Sequence, residues 1–265
     1  MTLTKKHFLI TILLVAAALR LISLGSSDIT GSDEIFYAFR AIGMLDFDNS
    51  ISQPSILEFL GPQIPFWAHL SFSDHPPLVF LAQNISMAIF GENTFAFRLP
   101  SALLGIASVY LIYLIGRRLF SQNSGLAAAA IYAITLNGVY ISRLGLQESY
   151  VIFFLLLVSY LFIKSLSNDK YLLWTGASLG LGLLAKYNVF ILAPIFLSYI
   201  ILFRRDFFRN TKFWLAIGLA IVVSSPIIIY NYNLYKTFGH FDFQLAYIFG
   251  QNPEVWQSAP GKEEI

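Results

Sequence analysis

Asp33 and Glu34 stand side by side in GSDEIFYAFR, residues 31–40, just after an apolar run. Further along come Asp74-His75-Pro76-Pro77, then Arg98, Arg143, Glu148, Lys186 and His240, most of them next to the end of another apolar run. Carboxylates and imidazoles can exchange protons, and Lys and Arg can neutralise an anion. In a chain so poor in charge, acids and bases gathered at the ends of apolar runs point to chemistry at a membrane surface.

The elements that must position these residues follow from composition. Of 265 residues, 57% are hydrophobic and 12% charged, with a mean hydropathy of +0.67. A soluble domain carries about 25% charged residues. This chain lacks the charge to coat a water-facing surface, and the expectation is an all-α integral membrane protein with several spans. Its 25 Phe and 14 Tyr suit lipid-facing surfaces and interfacial belts. The absence of cysteine excludes disulfides, thiolate nucleophiles and Cys-based metal sites. The net charge of +2 decides nothing by itself, and no nucleic-acid partner is expected.

Apolar runs cover about 8–24, 76–91, 98–116, 124–142, 149–163, 172–185, 188–203 and 213–230. Crossing about 30 Å of hydrocarbon takes about 20 helical residues. The run 76–91 opens with Pro76-Pro77, carries Gln83-Asn84 at its centre and ends at Gly91-Glu92-Asn93. If it lies along the interface, Arg117, Arg118, Lys164, Lys170, Arg204, Arg205, Arg209 and Lys212 share a side with Lys5 and Lys6. If it crosses, all of them change sides, against the positive-inside rule.

The expectation is therefore seven spans in the cell membrane, with the N-terminus cytoplasmic and the first span uncleaved. Arg20, near the outer end of that span, is expected to snorkel toward the headgroups. Residues 1–230 form the membrane module, and 231–265 an outer-side loop without a further span. The outer loop 25–97 carries two interfacial helices, about 33–44 and 76–91. It is acidic: Asp28, Asp33, Glu34, Asp46, Asp48, Glu58 and Asp74 face Arg40. Ser32 is the expected N-cap of the first interfacial helix, which places Asp33 and Glu34 in a first turn whose dipole favours ionised carboxylates. Ile35, Phe36, Phe39 and Ile42 recur at helical spacing and would rest on the membrane.

Ser-Asp-Glu at 32–34, His-Pro-Pro-Leu at 75–78, FAFRLPS at 95–101 and GLGLLAKY at 180–187, in that order, resemble the GT-C glycosyltransferases. The nearest in pattern are the protein O-mannosyltransferases and the lipid A aminoarabinose transferases. The resemblance covers Met1 to about Phe249 and implies transfer of a sugar from a polyprenyl-phosphate carrier to a hydroxyl outside the cytoplasm, usually with inversion. It places the base on Asp33, with Glu34 positioning Asp33 or the acceptor and Glu148 orienting the acceptor or assisting. His75 and Lys186, with Arg143 as a third cation, would meet the lipid phosphate. Asp74, with His240 as partner, would hold a divalent metal ion. No nucleotide or organic cofactor is implied. GLGLLAK at 180–186 looks like a phosphate loop but lacks its second Gly before Lys and the following Ser or Thr.

Relatives usually carry further spans, so a fragment, a truncated product, or a reduced member completed by a partner chain is expected. Two other readings compete: a carrier-lipid-binding subunit without catalysis, and a polar-lipid transporter. A transporter would place ionisable residues at mid-span. Here Asn137 and Ser178 are neutral and charges collect at span ends, which favours surface chemistry.

Overall fold

The computed structural model describes residues 3–29, 31–43 and 65–251. Asp46, Asp48, Glu58, the Ser32 side chain and the tail after Gln251 lie outside the described residues. The described chain is a bundle of α-helices. They are α1 (Leu3–Leu21), α2 (Ser32–Gly43), α3 (Leu78–Phe90), α4 (Thr94–Leu119), α5 (Gln122–Ile134) and α6 (Leu136–Ser142). Then come α7 (Glu148–Ser165), α8 (Tyr171–Ala185), α9 (Leu192–Phe203), α10 (Thr211–Val223), α11 (Ser225–Phe238) and α12 (Phe243–Ile248).

The seven runs expected to cross fall on α1, α4, α5 with α6, α7, α8, the turn Tyr187–Ile191 with α9, and α10 with α11. Among the described residues, α4 and α7 are each long and apolar enough to cross a membrane. The pairs α5–α6 and α10–α11 also qualify if each is one span, bent by 63° and 56°. The first bend falls at Thr135, whose backbone is extended. The second falls before Pro226, which has no amide to continue the helical ladder.

Both helices expected at the interface form close to their expected bounds. α2 leaves Ile35, Phe36, Phe39 and Ile42 exposed and buries Tyr37, Arg40 and Ala41. Its apolar stripe is thus free for a membrane surface while its other face grips the bundle. α3 exposes Leu81, Ile85 and Ile89 and buries Val79, Phe80 and Met87. The polar residues that argued against its crossing are ties. Gln83 donates to the Gly145 carbonyl at 2.7 Å, and Asn84 donates to the Ala41 carbonyl at 2.8 Å, at the C-terminal end of α2.

Close helix approach is built on small residues. A Cβ added at Gly176 of α8 would lie 2.0 Å from the Ala216 carbonyl oxygen of α10, and Gly180 faces Ala220 one turn on. This small-xxx-small pattern lets two backbones touch without a polar contact.

Two expectations are corrected. Arg20 does not snorkel: it is fully buried and donates to the Ala133 carbonyl at 3.0 Å and the Ala16 carbonyl and Ser142 hydroxyl at 3.3 Å. The break between α5 and α6 leaves the last-turn carbonyls of α5 without helical donors, and Arg20 satisfies one of them. The stretch after Tyr230 is not simply a loop. α11 runs on to Phe238, and α12 begins where Asp242 caps it by accepting from the Leu245 amide at 2.9 Å.

Candidate active site

One ion pair assembles the end of the bundle that carries α2 and α3. Arg98 donates through Nε to Glu34 Oε1 at 2.7 Å and through Nη2 to Glu34 Oε2 at 2.9 Å. It also reaches the Ser27 and Asp28 carbonyls beyond α1. Glu34 in turn accepts from the Gly145 amide at 2.8 Å. Gly145 admits no side chain, because a Cβ there would sit 2.0 Å from the Phe97 ring. The first interfacial helix, the start of α4 and the turn before α7 are thereby fastened together.

Glu34, expected to position Asp33 or the acceptor, anchors the helix that carries Asp33. It is 4% exposed, and both oxygens are engaged by fixed donors. The Arg143 guanidinium donates to the carbonyls of Leu19, Ile22 and Ser23, closing the C-terminal end of α1.

Anchored this way, α2 presents Asp33, Tyr37 and Arg40 on one face, at i, i+4 and i+7. Asp33 is exposed at the helix start. The Tyr37 hydroxyl lies 2.8 Å from His75 Nε2, and His75 Nδ1 lies 2.8 Å from Asp74 Oδ2. A proton on Nδ1 serves Asp74 and leaves Nε2 to accept from the phenol. Arg40 reaches Asp74 Oδ1 at 2.8 Å, with its guanidinium 5.7 Å from the Phe72 and Phe80 rings. Burial, then the carboxylates of Glu148, Asp74 and Asp33, push the Tyr37 phenol well above its ordinary range. Tyr37 therefore remains a donor, within electrostatic reach of carboxylates from three segments.

Glu148 and Lys186, read separately in the sequence, form a partly exposed pair, with Nζ 2.8 Å from Oε1. Glu148 opens α7 and Lys186 follows the last residue of α8, so antiparallel packing brings them together. Next door, Asp242 is 1% exposed and accepts from the Tyr187 hydroxyl and from Asn231 Nδ2 at 2.8 Å. Burial pushes the Asp242 carboxyl up, opposed by these bonds. The Phe243 amide donates to the Ser73 carbonyl at 2.6 Å, so the segment after α11 braces the turn that holds Asp74 and His75.

Asp74 and His240 do not make a donor set. Arg40 and His75 take the Asp74 oxygens, so a guanidinium stands where a cation would bind. His240 Nδ1 lies 2.7 Å from the Phe241 carbonyl. Among the described residues no group of three or more His, Asp or Glu could hold a metal ion. Sequence reading missed Tyr37 and Asp242 as site-shaping residues. Tyr37 was within reach, one helical turn from Asp33, but Asp242 carried no spacing signal.

Burial alone would raise the Asp74 pKa, but Arg40 and His75 outweigh it and hold the carboxyl at about 2. A depressed carboxyl stabilises the fold fully above its ordinary value of 3.8 and loses that contribution as pH falls through about 2. Near-ultraviolet circular dichroism is expected to stay constant from neutral pH down to about 4 and to change between there and about 2. In Asp74→Asn that transition should be absent.

This helical membrane bundle, with α2 and α3 between α1 and α4, has the GT-C fold of membrane glycosyltransferases. The S. cerevisiae protein O-mannosyltransferase Pmt1-Pmt2 complex bound to its sugar donor superposes with a TM-score of 0.61 at 20% identity, covering 92% of this chain and 35% of that one. The chain belongs to the dolichyl-phosphate-mannose-protein mannosyltransferase family, which matches residues 74–230. The Bacillus subtilis (strain 168) protein YkcB, named as a candidate mannosyltransferase, is 28% identical over 213 residues, 72% of this chain and 29% of its own length. An undecaprenyl phosphate-alpha-4-amino-4-deoxy-L-arabinose arabinosyl transferase of Pseudomonas fluorescens (strain Pf0-1) is 25% identical over 246 residues, 89% of this chain and 40% of its own length. The chain thus spans less than half the length of these relatives.

Proposed function

We propose that the protein transfers a sugar from a polyprenyl-phosphate carrier to a hydroxyl of a protein, lipid or glycan at the non-cytoplasmic face of the cell membrane. The observation that carries this reading is the Tyr37–His75–Asp74 chain of contacts on the helix that bears the exposed Asp33, together with the Glu148–Lys186 pair. The orientation follows from the cluster of Arg and Lys at the other end of the bundle, which favours the cytoplasm.

In the reaction, the acceptor oxygen attacks the anomeric carbon, and the bond from that carbon to the phosphate oxygen breaks. The leaving carrier phosphate needs no proton, so one base suffices, unlike the two carboxylates of a glycosidase. Asp33, exposed and at a helix start, takes the acceptor proton. Glu148 orients the acceptor and holds Lys186 in place. Lys186 neutralises the leaving phosphate, and the Tyr37 hydroxyl turns from His75 Nε2 to donate to a phosphate oxygen, which brings His75 to face it.

Native mass spectrometry with added polyprenyl phosphate tests the donor half of this reading. Bound carrier lipid is expected on the wild type and is expected to fall by about tenfold or more in His75→Ala, Lys186→Ala. Equal retention by that variant would remove both residues from the donor site.

A further inference from the structure

At the end of the bundle opposite Asp33, the last turns of α4 and α7 border a cavity of about 350 Å³ lined by Leu114, Arg117, Arg118, Tyr160 and Lys164. Leu114 and Arg118 are one turn apart on α4, and Tyr160 and Lys164 one turn apart on α7, so each helix turns one face to it. Two of the three cationic heads are held. The Lys164 ammonium lies 3.8 Å from the Tyr171 ring centroid and 5.4 Å from that of Tyr160. Arg118 donates to the Ser167 hydroxyl.

The carboxylates of this end are committed elsewhere, Asp169 to Lys212 at 2.8 Å and Asp206 to Arg204 at 2.9 Å. Helix dipoles and membrane orientation account for cations at helix C-termini in general. They do not account for three cations drawn around one cavity whose wall contains no carboxylate.

We propose that this cavity binds the phosphate of an anionic membrane phospholipid. Two guanidiniums, an ammonium and a phenol offer almost only donors, which suits a phosphate with its several acceptor oxygens. Basic pockets between membrane helices on the cytoplasmic side are a recurrent setting for such headgroups. Leu114, one turn deeper than Arg118, gives the cavity an apolar wall that a glycerophospholipid can contact and free inorganic phosphate cannot use. The site does not depend on the proposed transfer reaction.

The full chain in detergent micelles, offered phosphatidylglycerol or phosphatidylcholine, tests it by native mass spectrometry. Arg117→Gln, Lys164→Gln is compared with Arg205→Gln, Arg209→Gln, which removes equal charge from the same end. Phosphatidylglycerol retention is expected to fall about tenfold in the first variant and by less than about twofold in the second. Equal losses would reduce the effect to general surface charge and overturn the proposal. So would phosphatidylcholine retained as well as phosphatidylglycerol. A third arm titrates inorganic phosphate: saturation by it at the affinity of the lipid would make free phosphate the ligand and overturn the lipid assignment. Unchanged helical content by circular dichroism confirms that both variants fold.

Discussion

Asp33→Asn is expected to lower sugar transfer by about 100- to 10,000-fold, the range for loss of a general base. Carrier-lipid binding should remain near the wild-type level. The two effects separate because Asp33 is exposed at the start of α2 and makes no ion pair among the described residues, whereas Lys186 and Tyr37 face the donor phosphate in the proposed reaction. Asn keeps the size and hydrogen-bonding reach of Asp but cannot take a proton at neutral pH. Single-turnover transfer from a polyprenyl-phosphate sugar, read beside lipid retention, makes the distinction. Transfer at the wild-type rate would sink Asp33 as the base and move the role to Glu148. Loss of both readouts would mean that the substitution disturbs the helix, not the chemistry.

Arg98→Ala is expected to be the most damaging single change to the fold. It leaves the Glu34 carboxylate buried with the Gly145 amide and no cation, and breaking a buried pair costs about 3–5 kcal/mol. It also strips the donors from the carbonyls beyond α1. Thermal unfolding in detergent should show a large drop in midpoint or loss of folded material. Glu34→Gln, Arg98→Gln together should recover part of that loss, because no uncompensated charge then remains. A wild-type midpoint for Arg98→Ala would show that the pair is dispensable.

Glu34 and Asp33 carry the contrast between sequence and structure most clearly. Adjacent and both acidic, they were read as partners in one site. In the fold, consecutive helical residues diverge by about 100°, so one carboxyl meets solvent and its neighbour is buried against Arg98. Arg98, in turn, sits in FAFRLPS, a motif read only as part of a pattern, and its task is to hold the Ser-Asp-Glu helix in place. Arg20 and Arg143 teach the same lesson. The expectation placed Arg20 at the headgroups and Arg143 at the lipid phosphate; in the fold both donate to carbonyls near helix ends.

By itself the sequence determined the class of fold and the runs that become helices, α2 and α3 among them. Those features depend on composition and on periodicity along one chain, which local physics and the membrane enforce wherever the helices finally pack. Tertiary structure alone decided which charged groups remain available. The pairing of Glu148 with Lys186, the ring of Tyr37, His75, Asp74 and Arg40, and the bracing of that ring by Asp242 and Phe243 join segments as much as 170 residues apart, since the Phe243 amide meets Ser73 (243 minus 73). A side chain's partner across that distance is set by how helices cross, and no spacing along the chain encodes it.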